Sequence, residues 1–172
     1  TLSTITAPNL VSVTYEKDAD GNEVTGAATK LTLSNGSYSA TFRNLAKLET
    51  VELPSRVKNL VKDAFVGCDK LTSLTVAAGG DYKMDSVGVV YEKKDADGTI
   101  WKLLFIPTFV KFESFEIPAD VSEIAAKAFA DTSVVTITFA ARTKDQTLKL
   151  LNEWSSGAFA NCPALTEITI PG

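Results

Sequence analysis

The feature of this chain that most constrains its fold is an internal repeat. The segment AFVGCDKLTSLTV, which begins at Ala64, returns near the end of the chain as AFANCPALTEITIP, which begins at Ala158. The same pattern, A-F-x-x-C-x-x-L-x-x-L-x-L-P, fits TFRNLAKLETVELP from Thr41 and, with one residue deleted, AFADTSVVTITFA from Ala128. A unit this short cannot bury its own apolar face, so its copies must stack on one another. The repeat therefore predicts a solenoid.

A second phrase lies between the copies and sets their period. It reads LPSRVKNLVKDAF from Leu53 and IPADVSEIAAKAF from Ile117. The separation of Phe42 and Phe65, about 23 residues, lies in the range of leucine-rich repeats. The alternating apolar residues that end each copy predict a short strand with one buried face, and a proline then ends the extended run. KDAF and AKAF are typical of a single helical turn, and LSTITAP from Leu2 resembles the last copy, so the chain begins and ends inside repeats.

The Phe, Cys and Leu slots of the repeat are predicted to form the core. Cys68 and Cys162 occupy the same slot two or more turns apart, about 10 Å or more at the ~4.8 Å spacing of strands. A disulfide requires Cα atoms within about 7 Å, so we interpret both as buried thiols, with a disulfide or metal pair as the alternative. The predicted core residues are Phe42, Phe65, Cys68, Leu71, Leu74, Phe129, Phe159, Cys162 and Leu165.

These units resemble the BspA-type leucine-rich repeats, whose running pattern is close to I-P-x-x-V-x-x-I-x-x-x-A-F-x-x-C-x-x-L-x-x-I-x-I-P. The resemblance extends from about Phe42 to Gly172, and the segment from Val87 to Pro118 is similar to the extended hairpin-bearing repeat of that family. It implies a β-rich α/β solenoid: a right-handed leucine-rich repeat superhelix with short helical turns and β-hairpin insertions.

We therefore predict one repeat domain that covers residues 1–172. Its parts are a divergent N-terminal repeat with hairpins at 1–41 and clear repeats at 42–172, with an insertion near 81–112. Residues 141–157 depart from the repeat pattern, and their structure is not predicted.

Two of the insertions share a phrase that indicates hairpins. VTYEKDADGNEV begins at Val13 and VVYEKKDADGTIW at Val89, and Asp-Gly between β-prone runs favours a tight turn. Asn35-Gly36 predicts a third hairpin. The Asp-x-Asp-Gly pattern also offers carboxylates for a weak Ca²⁺ site, although neither copy supplies the later ligands of an EF-hand loop. The carboxylates of that alternative are Asp18, Asp20, Asp95 and Asp97.

Several functions are disfavoured by what the sequence contains. The chain has no His, so a Ser-His-Asp or Cys-His arrangement is impossible and zinc is disfavoured. Its net charge of −4 and the absence of a Lys/Arg cluster argue against nucleic acid. The longest apolar stretch, Trp101 to Val110, is too short to span a bilayer. We expect no cofactor, no metal and no catalysis; a glycan-active enzyme using a pair such as Glu113 and Glu116 is the least favoured alternative.

The exposed positions of the repeat strands are the candidate binding surface. They alternate with the buried ones and are rich in hydroxyls, which also suit any exposed strand. Solenoids commonly bind partners on such a face. Aromatic residues near the hairpins could add stacking contacts at its edge or belong to the core; they are Tyr15, Tyr38, Tyr82, Tyr91, Trp101 and Trp154. The predicted ladder consists of Thr4, Thr6, Thr50, Glu52, Ser73, Thr75, Thr136, Thr138, Glu167 and Thr169.

The resemblance implies a function for this surface. BspA-type proteins are exported bacterial surface proteins or lipoproteins implicated in adhesion. We predict a non-catalytic binding module, extracellular or at the bacterial cell surface, that binds a protein or glycan of a host matrix or another cell. A lipid anchor on a segment outside residues 1–172 and self-association by repeat stacking are further expectations. The alternative is a structural spacer or assembly domain of a larger surface protein.

Overall fold

A computed structural model describes residues 9–15, 17–24, 31–33, 41–153 and 156–170. Thr4, Thr6 and the hairpin predicted at Asn35-Gly36 lie outside the described residues. The chain divides into two compact units, Thr1–Met84 and Asp85–Gly172, and each is described by itself. The single domain expected from the sequence stays a prediction.

The first unit contains two parallel sheets of short strands. The order of the first sheet is β1-β3-β5, and β2 pairs with β4 in the second. Thr50 pairs with Ser73, the residue that lies one repeat period later in the chain. In chain order the strands are β1 (Ser12–Val13), β2 (Leu31–Thr32), β3 (Thr50–Leu53), β4 (Val57–Lys58), β5 (Ser73–Val76) and β6 (Tyr82–Met84).

The second unit repeats this plan and adds a hairpin. Strands β9, β11 and β13 form one parallel sheet, with β11 in the middle. Strands β8, β10 and β12 form another, and β7 pairs antiparallel with β8. The strands are β7 (Val90–Lys93), β8 (Trp101–Phe105), β9 (Ser114–Ile117), β10 (Val121–Ile124), β11 (Thr136–Phe139), β12 (Lys149–Leu150) and β13 (Glu167–Ile168).

Both sheets of the second unit contribute to one apolar core. Leu103 and Ile124 enter it from one sheet, and Phe115 and Ile137 from the other. The strands alternate buried and exposed residues because successive side chains point to opposite faces; β9, for example, buries Phe115 and Ile117 and exposes the residues between and before them. The unit is therefore a β-rich solenoid of stacked turns.

Helical structure is sparse in the described part of the chain. Lys62–Phe65 forms one turn of 3-10 helix that buries Ala64. The corresponding AKAF segment, residues 126–129, forms turns instead, with Lys127 at a φ of 57°. No helix among the described residues is long and apolar enough to cross a membrane.

Phenylalanine rings pack against one another in both units. In the first unit the ring centroids of Phe42 and Phe65 are 5.5 Å apart and nearly parallel. In the second unit Phe129 is fully buried and lies 5.9 Å from Phe115 and 5.3 Å from Phe159. Among the predicted core residues, Phe42, Cys68, Leu74 and Phe129 are buried, and the partly buried ones are Phe65, Leu71, Phe159, Cys162 and Leu165.

The residue two positions after each repeat phenylalanine has a left-handed backbone. Asn44, Gly67, Asp131 and Asn161 have φ angles of 61°, 77°, 57° and 56°. Gly, Asn and Asp are the residues that tolerate this conformation. The turn is completed by bonds between copies, since Asn44 N–H donates to the Val66 carbonyl at 2.8 Å and Asp131 N–H to the Asn161 carbonyl at 2.7 Å. In the sequence this turn is marked by Asn, Gly, Asp and Asn at the same position of four repeats.

The corners after the strands are clamped by a different side chain in each unit. After β3, the backbone N–H and the hydroxyl of Ser55 both donate to Glu23, at 2.8 and 2.6 Å, and Arg56 pairs with the same carboxylate. Burial tends to raise the pKa of Glu23, but these bonds outweigh it and lower the pKa below its usual value.

In the second unit an arginine replaces the carboxylate at the corresponding corner. Arg142 donates to the carbonyls of Pro118 and Val121, at 2.8 and 2.7 Å, and to that of Ala119 at 3.2 Å. After Arg142 the chain continues to β12, which pairs parallel with β10. Residues 141–153 therefore belong to the solenoid although they lack the repeat pattern.

Both hairpins predicted from Asp-Gly are present in the described residues. Lys17 and Glu23 form an antiparallel bridge across the first turn, in which Asp18 N–H donates to the Asn22 carbonyl at 2.9 Å. The second hairpin is formed by β7 and β8.

Candidate functional site

Two surfaces correspond to the predicted ladder, one in each unit. We call the exposed side chains of β1, β3 and β5 the first strand face, and those of β9, β11 and β13, including Thr169 that follows β13, the second strand face. Each is built by parallel pairing, which places residues of successive turns side by side at about 4.8 Å.

On the first strand face, Ser12, Thr50 and Ser73 form one row across the three strands. Glu52 and Thr75 pair in the next row. Thr75 is exposed, whereas Thr50, Glu52 and Ser73 are half-buried. Ser12 was not predicted, because the sequence pattern assigned the first strand to LSTITAP, which lies outside the described residues.

On the second strand face, Ser114, Thr136 and Glu167 form one row. Glu116 pairs with Thr138 in the next row, and the N–H of Thr169 donates to the Ile137 carbonyl at 2.9 Å. Ser114, Glu116, Glu167 and Thr169 are exposed, and both central threonines are half-buried. Ser114 and Glu116 were not predicted as ladder positions; the signal for them is SFEIP, which matches TVELP at the end of β3.

The first strand face has an ion pair at its edge. Lys17, from the hairpin, reaches the carboxylate of Glu52, which is distant in the chain. Its ammonium group also lies 5.0 Å from the centre of the Tyr15 ring. The hydrogen bond to Glu52 is the main cause that raises the pKa of Lys17, so the lysine keeps its charge.

The carboxylates of the hairpin turns are occupied by backbone donors. Asp18 Oδ1 accepts the N–H groups of Asp20 and Asn22, both at 2.9 Å. Asp95 accepts the N–H groups of Thr99 and Ile100, both at 3.0 Å, and the Thr99 hydroxyl.

These bonds stabilise the charged form and lower the pKa of both aspartates: the Asn22 backbone bond is the largest cause for Asp18, and the Thr99 side-chain bond for Asp95. Asp20 and Asp97 are exposed. Within the described ranges no cluster of three or more His, Cys, Asp or Glu could hold a metal. Asp18 and Asp95 thus accept bonds within their own turns, and the calcium alternative stays a prediction.

Two of the tyrosines considered as stacking anchors are core residues. Tyr82 is buried and its hydroxyl accepts the Leu60 N–H at 3.2 Å. Tyr91 is buried and its hydroxyl donates to Asp85 at 2.8 Å. Tyr15 remains half-buried beside the first strand face, and Tyr38 and Trp154 lie outside the described residues.

The repeat cysteines each donate a hydrogen bond to the phenylalanine carbonyl of another turn. Cys68 Sγ lies 2.8 Å from the Phe42 carbonyl, and Cys162 Sγ lies 3.3 Å from that of Phe129. Both are free thiols. Thr132, which occupies the same slot, instead donates to the Phe129 carbonyl of its own turn at 2.7 Å. The side chain at this repeat position thus gives a phenylalanine carbonyl inside the solenoid a hydrogen-bond donor.

The two thiols should react at different rates in the native protein. Cys68 is buried, and burial is the main cause that raises its pKa, which leaves little thiolate. Cys162 is partly exposed. We expect iodoacetamide at pH 8 to modify Cys162 first, with Cys68 protected until denaturant is added, as measured by peptide mass spectrometry. Equal rates in the native state and in urea would contradict the burial of Cys68.

Comparisons with known proteins give a family and a similar structure. A family model described as BspA type leucine rich repeat region matches six copies, over residues 29–84 and 100–172. The chain is also similar to the crystal structure of a leucine rich cell surface protein from Faecalibacterium prausnitzii A2-165, with 24% identity and a TM-score of 0.49. That similarity covers 70% of this chain and 29% of the other. No curated protein matches.

Proposed function

Because this chain belongs to the BspA-type leucine-rich repeat family, we propose that it is a non-catalytic binding module of an exported bacterial surface protein. The module binds a protein or glycan on its strand faces and serves adhesion to a host matrix or another cell. The observation that carries the proposal is that charged residues are distributed differently on the two sheets of the second unit.

The sheet that contains β8 and β10 pairs its charges internally. Glu92, Lys102, Glu123 and Lys149 are neighbours on successive strands, so their signs alternate across the sheet. Lys102 forms an ion pair with Glu92, and Lys94 lies 3.1 Å from Glu123. Such a surface has little charge left for a partner.

The second strand face is different. Its strands β9, β11 and β13 carry hydroxyls and carboxylates and no Lys or Arg. None of the ion pairs between described residues involves Glu116 or Glu167. Polar groups that are exposed, regularly spaced and without charged partners among the described residues are available to a ligand, which supports this face as the binding surface.

The proposal includes the finer expectations from the sequence. They are a right-handed superhelical path with short helical turns, secretion to the extracellular side or the cell surface, a lipid anchor, and self-association by repeat stacking. Nucleic acid is not part of it, because the chain is acidic without a basic cluster. Membrane insertion is not part of it either, because the longest apolar stretch is too short to span a bilayer.

The test is binding of the purified 172-residue protein to arrays of glycans and extracellular-matrix proteins. Thr138→Lys places a long cation in the middle of the second strand face and should abolish binding there, and Thr75→Lys does the same for the first. Thr108→Lys is the matched control, because Thr108 is exposed in a turn outside both faces. Circular dichroism verifies that each variant is folded.

Loss of binding in Thr138→Lys or Thr75→Lys, with Thr108→Lys unaffected, supports the proposal. If no ligand binds, or if all three variants bind alike, the strand faces are not the binding surface and the spacer alternative is favoured.

A further inference from the structure

We propose that the second strand face binds a basic segment of a partner protein, one whose two lysine or arginine side chains match a pair of carboxylates on that face. This inference rests on the proposed function and names the class of ligand for that face. It is argued from an ion pair that the first unit makes within the chain.

The two strand faces share a carboxylate slot. TVELP, which ends at Pro54, and SFEIP, which ends at Pro118, place Glu52 and Glu116 at the same position of the repeat. Glu52 lies on the middle strand of its sheet and Glu116 on an edge strand, and each pairs with a threonine of the next turn, Thr75 and Thr138 respectively. The strands therefore give both glutamates the same threonine neighbour on one side.

In the first unit the glutamate of this slot already has a lysine partner. The Lys17 ammonium group pairs with Glu52 and lies over the Tyr15 ring, and the side chains of Lys17 and Glu52 remain 39% and 36% exposed. The chain thus supplies its own cation from the neighbouring hairpin. The pair demonstrates how an ammonium group fits a glutamate of this ladder.

Among the described residues of the second unit, the equivalent carboxylate has no cation. Glu116 is exposed and belongs to none of the ion pairs between described residues. Glu167, two strands away and one row over, is also exposed; it accepts a bond from the Thr169 hydroxyl at 3.2 Å. Strand spacing and rise place these two carboxylates about 12 Å apart.

Charge complementarity selects a basic segment over a neutral glycan. A neutral ligand that covers Glu116 and Glu167 would remove water from two carboxylates without supplying an opposite charge, which costs free energy. Two basic side chains four positions apart on an extended segment span about 13 Å, which matches the separation of the carboxylates. The half-buried threonines between them would contact the intervening segment.

The probe is a short blocked peptide of Gly and Ser that carries two Lys at positions i and i+4; the matched peptide carries Gln at both. Binding to the 172-residue protein is followed by amide chemical shifts in a nitrogen-15 NMR titration at low salt. We expect the lysine peptide to shift resonances of β9, β11 and β13, and the glutamine peptide to shift none.

Glu116→Gln should weaken binding of the lysine peptide by roughly threefold to fivefold, which is the contribution of an exposed ion pair. Glu153→Gln is the control, because it removes the same charge from an exposed residue outside the face.

The inference is overturned if the wild-type protein does not bind the lysine peptide, or if Glu116→Gln binds it as tightly as Glu153→Gln does. A different result would separate the two proposals. If a glycan binds the wild-type protein and Glu116→Gln but not Thr138→Lys, the proposed function stands and this inference fails.

Discussion

Replacement of Phe129 by alanine should lower the free energy of unfolding by about 3–5 kcal/mol. Phe129 is fully buried in the second unit and packs between the rings of Phe115 and Phe159. Its removal opens a cavity between successive turns, and stacked turns depend on their neighbours for stability. Urea unfolding followed by circular dichroism measures the loss.

Phe129→Leu is the control for this prediction. Leucine keeps most of the buried volume, so Phe129→Leu should lower the free energy of unfolding clearly less than Phe129→Ala does. Equal losses in the two variants, or a loss in Phe129→Ala below about 1 kcal/mol, far under the usual range for such a truncation, would mean that the phenylalanine contacts do not hold the turns together as described.

Gly80→Ala should destabilise the first unit more than Gly79→Ala, although the two glycines are adjacent. A Cβ on Gly80 would overlap the Ser55 carbonyl oxygen and lie 2.8 Å from the carbonyl carbon. These are backbone atoms, and the N–H and hydroxyl of Ser55 are held by Glu23, so the corner cannot move away freely. We expect a loss of about 3 kcal/mol, the upper part of the range for overpacking.

Gly79 is needed for a different reason. Its φ is 91°, and a Cβ there would meet nothing within 4 Å. Alanine at this position costs only the strain of a left-handed backbone, about 1–2 kcal/mol. Urea unfolding of the two variants compares them directly, and a Gly79→Ala loss equal to or above that of Gly80→Ala would contradict the close approach to Ser55.

The two corner clamps illustrate how one repeat accommodates different sequences. At the corner after β3 the groups to be satisfied are the N–H and hydroxyl of Ser55, and a carboxylate from a hairpin accepts their hydrogen bonds. At the corner after β9 they are carbonyls, and the guanidinium of Arg142 donates to three of them. Both clamps give partly buried backbone groups a hydrogen-bond partner, but the two corners share no sequence motif.

The candidate site was predicted unevenly. Thr50, Ser73, Thr136 and Glu167 were placed in the ladder from the alternation of each strand, and the structure pairs them as neighbours. Glu116 was considered only as one of a carboxylate pair with Glu113, because the insertion before it obscured the fact that SFEIP ends a repeat. Its place beside Thr138 became visible when the strands were paired.

The sequence by itself determined the period, the buried face of each repeat strand and the positions of both described hairpins. The physical reason is that these features are local: alternation, a recurring phenylalanine and Asp-Gly turns act within a single turn of the repeat. They were sufficient to predict stacked parallel strands.

Only the tertiary structure decided which side chains meet across turns of unequal length. Thr136 pairs with Ser114 of the preceding turn and with Glu167 of the following one. The chain between Thr136 and Glu167 is much the longer of the two connections, so insertions shift partners by amounts that no repeat pattern contains. The Lys17–Glu52 pair, the Arg142 clamp and the bonds from the cysteines to the phenylalanine carbonyls likewise join residues that lie 21 to 35 positions apart in the chain. Hydrogen bonds and ion pairs act over a few ångströms, and which groups come that close is fixed by the folded path of the chain.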